Sequence, residues 1–235
     1  MTTLAAETTI VASDRPVLLL GGGRIVDEDL TEARSLAPRV VAADGGGDRA
    51  LAAGLTPEAV IGDLDSLSEA GRRALAGVLH QIAEQETTDF DKALRSIAAP
   101  VVIALGMLGG RFDHTLAACT VLCRLPHRAC VVVGAENVMA LCPPDLSLDL
   151  DAGTDLSLYP MGEVTCASEG LVWPTDGLLL SPLHRVATSN RVAGPVRLRP
   201  SAPRLLLILP RICLSALVTR LAALPQPARW PAPAR

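Results

Sequence analysis

Short apolar runs that end in glycine or aspartate alternate with longer amphipathic segments through residues 16–142. Such runs are typical of strands buried on both faces of a parallel sheet, and the segments between them are typical of connecting helices. The predicted strands are Val17–Leu20, Val40–Ala43, Val60–Ile61, Val101–Leu105 and Cys130–Val133, and the predicted helices lie near 28–36, 48–53, 66–79, 89–97 and 113–125. The pattern predicts an α/β domain with a Rossmann-like parallel sheet.

The pattern changes after the pair Pro143-Pro144. Leucines then alternate with polar residues, and glycine or proline recurs every few positions, which is typical of short antiparallel strands. We therefore predict a small all-β sandwich over residues 145–210. The segment 211–235 is predicted to be a helix followed by a Pro-rich tail. The apolar stretch 205–224 is interrupted by Pro210, Arg211 and Arg220, which argues against a membrane span.

The composition of the chain argues against some classes of ligand. The chain has 235 residues, a net charge of −4 and only 2% aromatic residues. An acidic surface with few aromatic side chains disfavours nucleic-acid binding, so a phosphate-bearing ligand should be small and held locally, through a metal ion. The six cysteines form no CxxC pair, which favours a reducing, cytosolic compartment. Residues 1–15 lack the basic and apolar segments of a signal peptide and are expected to be a loose leader.

Acidic residues cluster at the ends of the predicted elements. Asp63 and Asp65 follow a strand, and in an extended segment their carboxylates point the same way, as a shared hard cation requires. The alternative is that Asp65 and Ser66 cap the next helix. Asp44, Asp89 and Asp113 stand at three further element ends, beside glycines that let a ligand approach the backbone, and this repetition favours a metal and phosphate site.

Lys92 is the only lysine among 21 basic residues. It lies three positions after Asp89 and can therefore share a helical face and a phosphate with it, although a solvated surface lysine is the alternative. The segments Asp44-Gly45-Gly46-Gly47 and Gly109-Gly110-Arg111 are candidate phosphate or ribose loops. Neither a P-loop nor a dinucleotide fingerprint is present.

Covalent catalysis has no recognisable signature in the chain. Ser66 is better explained as a cap or a phosphate contact, and His114 as a buried hydrogen-bonding residue or a general base, with the first favoured. From the residues alone, Ser189-Asn190 reads as a turn, and Trp173 as a core residue. The chemistry is therefore expected to depend on a metal.

Taken in order, these motifs resemble the thiamine pyrophosphokinase family. The resemblance rests on Ala43-Asp44-Gly45-Gly46, Gly62-Asp63-Leu64-Asp65-Ser66, Thr88-Asp89-Phe90-Asp91-Lys92-Ala93, Gly109-Gly110-Arg111-Phe112-Asp113-His114 and Ser189-Asn190. It implies a magnesium-dependent enzyme that transfers pyrophosphate from ATP to the hydroxyl of thiamine, giving thiamine diphosphate and AMP. It further implies a cytoplasmic homodimer whose active sites lie between subunits.

The resemblance also implies residue roles. Asp63, Asp65 and Asp89 would bind magnesium, Lys92 and Arg111 would hold phosphates, and Asp113 would support this network. The nucleotide side would comprise Asp44, Gly45, Gly46, Ser66, Thr88 and His114. Ser189 and Asn190 would border thiamine from the partner subunit, whereas Trp173, in the family's Gly-Leu-x-Trp segment, is expected to be structural.

Three departures from the family's pattern stand out: Gly47-Asp48 replaces Ala-Asn, Leu64 replaces an aromatic residue, and the segment after Arg211 has no counterpart. Two alternatives follow. One is a pyrophosphokinase acting on another alcohol, such as a hydroxymethylpterin, and the other is a non-catalytic sensor of thiamine or nucleotide.

Overall fold

The computed structural model describes residues 8–225 and 229–233. Within them the helices are α1 (Asp27–Leu36), α2 (Gly46–Ala52), α3 (Glu69–Ala74), α4 (Asp89–Arg95), α5 (Phe112–Arg124) and α6 (Leu214–Ala222). The first nine strands are β1 (Val11–Ala12), β2 (Val17–Leu20), β3 (Arg39–Ala43), β4 (Ala59–Gly62), β5 (Leu79–Gln81), β6 (Ile97–Ala98), β7 (Val102–Leu105), β8 (Cys130–Val133) and β9 (Asn137–Leu141). The others are β10 (Leu146–Leu148), β11 (Asp155–Pro160), β12 (Val164–Leu171), β13 (Leu179–Leu180), β14 (Ala187–Pro200) and β15 (Leu205–Pro210).

Six strands of the first half form a parallel sheet in the order β8-β7-β2-β3-β4-β5. Every residue of β2 is buried, because its side chains enter two separate cores on opposite faces. Leu18 and Leu20 pack in the core that holds α1, α2 and α6, while Leu19 packs in the core that holds α4 and α5. Burial on both faces explains why such strands read as continuous apolar runs.

The sheet continues into the β-rich second half. Strand β9 pairs antiparallel with both β8 and β15, and β15 pairs with β11, which leads to β14, β12 and β13. Thirteen strands therefore form one mixed sheet, with helices and a large β-rich part, and β1 and β6 form a separate two-stranded sheet. No helix in the described ranges combines the length and apolar character that a membrane crossing requires.

The helix predicted over 66–79 is much shorter than expected. Helix α3 begins after Ser68, whose side chain accepts a hydrogen bond from the backbone N–H of Gly71 at 3.0 Å. After Ala74 the chain makes one 3-10 turn and then forms β5, which pairs with β4. The apolar spacing that suggested a continuous helix thus spans a helix and an edge strand.

Both ends of the described chain contact the body. In the predicted leader, β1 pairs with β6, while residues 1–7 lie outside the described residues. In the predicted tail, Arg229 donates to the carbonyl of Pro100 at 2.6 Å, and Trp230 Nε1 donates to the carbonyl of Cys142 at 2.9 Å. Residues 226–228 and 234–235 of that tail are likewise outside the described residues.

Candidate active site

A cleft of about 690 Å³ opens where β2, β3, β4 and β7 end. Ligands of open α/β sheets bind at this carboxyl edge of the strands. The sequence-predicted residues that line it are Asp44, Gly45, Asp63, Ser66, Thr88, Asp89, Arg111 and His114. Those that lie outside its lining are Gly46, Asp65, Lys92 and Asp113, and also Ser189 and Asn190.

Glycines bring two backbone segments together under the cleft. A Cβ atom on Gly46, the first residue of α2, would lie 2.0 Å from the carbonyl oxygen of Leu20. Similarly, a Cβ on Gly23 would lie 2.5 Å from the carbonyl oxygen of Gly106. Gly46 is therefore required for close packing between strand and helix, a role distinct from the nucleotide contact implied by the resemblance.

Asp44 is buried at the end of β3 with one carboxylate oxygen unpartnered. Its Oδ2 accepts a hydrogen bond from the backbone N–H of Ser66 at 3.1 Å, whereas Oδ1 has no hydrogen-bond partner. Burial raises the pKa of the Asp44 carboxyl, and the hydrogen bonds from Ser66 offset this effect only in part. A buried, unpartnered oxygen at a cleft is a position where a cation would satisfy an otherwise costly group.

The two aspartates after β4 converge through a turn. Leu64, between them, has a φ of 68°, so the segment is not extended as the sequence predicted. The two carboxylates come together because the chain turns at Leu64. The Asp63 Oδ1 atom accepts from the backbone N–H of Asp65 at 3.2 Å, and Asp65 Oδ1 accepts from Ser66 Oγ at 2.9 Å.

Lys92 is buried, with 1% of its side chain exposed, and it links two of the aspartates. Its Nζ lies 3.2 Å from Asp63 Oδ2 and 3.1 Å from Asp89 Oδ1. Desolvation lowers the pKa of Lys92, but the bonds to both carboxylates outweigh it and the pKa is raised. Desolvation likewise raises the pKa of Asp63, but hydrogen bonds from Asp65, Lys92 and Gln85 leave it lowered. The solvated-lysine alternative is therefore wrong.

One carboxylate oxygen from each of Asp44, Asp63 and Asp65 lies within 4.8 Å of the other two. This grouping includes Asp44, which was expected on the nucleotide side, and not Asp89, which was expected to bind the metal. Asp89 Oδ1 instead accepts from Lys92 Nζ and from the backbone N–H of Asp63 at 3.2 Å. Three anionic oxygens at this spacing form a suitable donor set for Mg²⁺.

Ser66 and Thr88 were both candidates for helix caps and for ligand contacts, and only Thr88 is a cap. Ser66 does not cap α3, because Ser68 occupies that position. Thr88 is the N-cap of α4, where its hydroxyl accepts from the backbone N–H of Asp91 at 3.3 Å, and it also lines the cleft. Thr88 thus fixes the start of the helix that carries Lys92.

Arg111 and Asp113 lie at the rim of the cleft and pair with each other. Their closest atoms are 2.5 Å apart, with 72% of the Arg111 side chain and 59% of the Asp113 side chain exposed. The hydrogen bond from Arg111 is the main cause that lowers the pKa of Asp113 to about 2. His114, next along α5, lines the cleft and is exposed, so the expectation of a buried histidine was wrong. This part of the motif remains open to solvent.

Sequence reasoning missed several residues that line the cleft. The Gly21-Gly22-Gly23 turn and Arg49 line it, and the Nε atom of Arg49 donates to the carbonyl of Gly22 at 3.1 Å. Gln85 also lines it and donates from Nε2 to Asp63 Oδ2 at 3.1 Å. The only available signal for Gln85 was its position four residues before Asp89 in the same loop.

Ser189 and Asn190 lie in a second cavity of about 240 Å³, which shares no lining residue with the cleft. The Asn190 side chain is buried and holds the backbone of Trp173: its Oδ1 accepts at 3.2 Å and its Nδ2 donates at 2.7 Å. Trp173 is 56% exposed and lines this cavity, so the expectation of a core residue was wrong. One chain does not bring these residues to the aspartates.

Among described non-glycine residues, positive φ angles occur only at Asp44 (44°), Leu64 (68°) and Ser189 (59°). All three stand in motifs that the sequence singled out. Strained backbone of this kind persists where the surrounding structure requires it, and it concentrates at ligand sites.

The protein joins an acidic cleft at the carboxyl edge of a parallel sheet to a β-rich half. This architecture is that of α/β proteins whose small ligands bind at strand ends. Residues 31–133 match the family model described as thiamin pyrophosphokinase, catalytic domain. This segment, which is less than half of the chain, is therefore similar to the catalytic domain of thiamine pyrophosphokinases.

Curated relatives and solved structures agree with this match. Rice thiamine pyrophosphokinase 3 is 29% identical over 58% of this chain and 58% of its own length. Thiamin pyrophosphokinase 1 of Caenorhabditis elegans is 28% identical over 58% of this chain and 63% of its own length. The fold is similar to thiamin pyrophosphokinase from Candida albicans, with a TM-score of 0.71 and 15% identity over 89% of this chain and 95% of that one. The matches thus span less than two thirds of these curated relatives.

Proposed function

We propose that this protein is a thiamine pyrophosphokinase, an ATP:thiamine diphosphotransferase that produces thiamine diphosphate and AMP. The observation that carries the proposal is the convergence of Asp44, Asp63 and Asp65 at the cleft, within the segment that matches the family's catalytic domain. The parallel order of β2, β3, β4 and β7 around that cleft supports the predicted Rossmann-like nucleotide-binding domain. The free cysteines fit the predicted reducing, cytosolic location.

The residues present fit a magnesium ion, by two observations. The buried Asp44 Oδ1 lacks a partner, and the three carboxylate oxygens are close enough to share one cation. Asp44, Asp63 and Asp65 would hold it. Asp89, the predicted third ligand, has its Oδ2 without a hydrogen bond from the described residues and would contact the metal or the triphosphate. When bound, the metal supplies charge neutralisation at phosphate oxygens.

The transfer itself requires mainly positioning and charge compensation. The hydroxyl oxygen of thiamine attacks the β-phosphorus and releases its proton to solvent, while the bond between that phosphorus and the oxygen of the α-phosphate breaks, so that AMP leaves with that oxygen. Lys92, held between Asp63 and Asp89, orients both carboxylates and adds a buried positive charge beside them. Arg111, 72% exposed on the rim, would exchange its pairing with Asp113 for a phosphate.

Thiamine binding is proposed at the second cavity. Trp173 offers an exposed aromatic face there, beside Ser189, on a segment that Asn190 fixes. Aromatic faces attract cationic and flat rings, and thiamine has both a positively charged and an aromatic ring. Because this cavity and the cleft share no residue, we propose a homodimer in which each active site combines the cleft of one chain with the second cavity of its partner.

The test of the function is direct. Purified protein is incubated with Mg²⁺, ATP and thiamine, and the products are identified by mass. We expect equal amounts of thiamine diphosphate and AMP. Formation of ADP would identify an ordinary kinase, transfer only to a hydroxymethylpterin would identify a different acceptor, and calorimetric binding of thiamine or nucleotide without AMP would identify a sensor.

The shared site predicts complementation between variants. Asp65→Asn and Trp173→Ala should each be inactive alone, one through the cleft and the other through the second cavity. When equal amounts are unfolded and refolded together, about half of the dimers are mixed and each has one intact site, so about a quarter of the wild-type rate should return. If the mixture stays inactive while native mass spectrometry shows mixed dimers, each site lies within one chain.

A further inference from the structure

Arg95 is a buried cation that does not reach the cleft. It ends α4 and is 5% exposed, and it does not line the cavity. Its Nη1 donates to Asp91 Oδ1 at 2.7 Å and to Thr87 Oγ1 at 2.9 Å, while its Nη2 donates to Glu84 Oε1 at 2.8 Å. Replacing such a buried ionic network by apolar residues is often neutral or stabilising, so stability alone does not explain it.

Glu84 connects this network to the loop that precedes α4. Its Oε2 accepts from the backbone N–H groups of Glu86 at 2.7 Å and Thr87 at 3.0 Å, and its Oε1 accepts from the Thr87 hydroxyl. Desolvation raises the pKa of Glu84, but these bonds and Arg95 outweigh it and lower the pKa to about 2, so the carboxylate is charged at neutral pH. Glu84 thereby closes a tight loop around Gln85.

The loop contacts Asp63 at both its side chain and its backbone. Gln85, at its apex, donates to Asp63 Oδ2, and Asp89, just after its end, accepts from the Asp63 backbone N–H. Both Gln85 and Asp89 line the cleft, whereas Glu84 and Arg95 do not. The ion pair between Glu84 and Arg95 therefore contacts the loop that carries Gln85 and Asp89, and does not itself line the cleft.

We propose that Glu84 and Arg95 are positioning residues, which hold the loop 84–88 so that Gln85 and Asp89 set the orientation of the Asp63 carboxylate toward a divalent cation. The proposal rests on the proposed function, in which Asp63 serves pyrophosphoryl transfer. Groups that orient metal ligands typically change metal affinity or activity by about 10–100-fold when they are replaced.

The test compares Glu84→Gln and Arg95→Lys with the control Glu58→Gln. Glu58 also accepts from an arginine, Arg39, with Nε at 2.9 Å, and its pKa is also lowered, but it lies outside the cleft lining. The readouts are the Mg²⁺ concentration for half-maximal AMP release and the affinity for Mn²⁺ measured by electron paramagnetic resonance. We expect both constants to weaken about 10-fold in the two variants and to stay within about twofold of wild type in the control.

A double-variant cycle separates positioning from general damage to the fold. If Glu84 acts through Gln85, then Glu84→Gln combined with Gln85→Ala should weaken Mn²⁺ binding no more than the stronger single variant does. Additive losses, or unchanged metal constants in Glu84→Gln, would overturn the proposal. Because Mn²⁺ binding needs no turnover, absence of AMP from wild type would reject the proposed function and leave this test intact.

Discussion

Replacement of Asp65 by asparagine is expected to lower AMP release by about 10³-fold while the fold survives. The carboxylate is exposed, and among the described residues its only side-chain contact is the hydroxyl of Ser66 at 2.9 Å. Asparagine preserves that contact and the shape of the side chain. It removes one of three anionic oxygens that lie within 4.8 Å of one another, and therefore weakens the hold on a divalent cation.

The matched control is Asp145→Asn. Asp145 is a half-exposed aspartate whose pKa is lowered by Arg197, with the closest atoms 2.6 Å apart, and it lies in the β-rich half. Turnover is measured as AMP release at increasing Mg²⁺, together with thermal unfolding of each variant. A rate near wild type in Asp65→Asn would remove this residue from the metal site, whereas a loss of activity in Asp145→Asn would show that the assay reports on folding.

The location of the site was predictable, because buried strands and the ends of strands can both be recognised from residues that are neighbours in the sequence. The apolar run Val17–Leu20 coincides with β2, and the acidic residues that follow β3 and β4 lie in the same cleft. Parallel strands place their carboxyl ends at one edge, so carboxylates distant in sequence meet there. The family resemblance, which rested on the order of these motifs, is confirmed by the comparisons.

The assignment of roles within the site was less predictable, because it depends on tertiary contacts. Asp44 joins the group of three carboxylates from a backbone with a φ of 44°, and no local sequence pattern encodes that angle. The sequence did not indicate a role for Arg95, because arginine is the common cation of this chain and the partners of Arg95 are determined by its burial in the fold. Asn190, assigned to thiamine by resemblance, has its amide engaged by the backbone of Trp173.

Short strands were missed for a related reason. Strands β1 and β6 have two residues each and exist because they pair with one another. Likewise β5 is defined by its pairing with β4, at the edge of the sheet. With so few residues, propensity contributes little, and the partner strand decides the conformation.

Replacement of Lys92 by methionine is expected to lower turnover by about 10²-fold and to destabilise the fold by about 3 kcal/mol. Methionine fills a similar volume but has no charge, so Asp63 and Asp89 lose the ammonium that lies 3.2 Å and 3.1 Å from them. The two carboxylates then repel each other without compensation, and the phosphates lose a buried positive charge. Added Mg²⁺ should reduce the repulsion and should not restore the rate.

The control for this variant is Arg39→Met, which removes a partly exposed cation that pairs with Glu58 at the start of β3, the opposite end of that strand from Asp44. AMP release at saturating ATP and urea unfolding with and without Mg²⁺ separate the two effects. A Lys92→Met protein that loses stability but keeps its turnover would make Lys92 a structural ion pair only. A protein that keeps its stability but loses turnover would show that the positive charge serves only the reaction. In that case the fold tolerates the two uncompensated carboxylates, whereas transfer of the phosphates requires the ammonium.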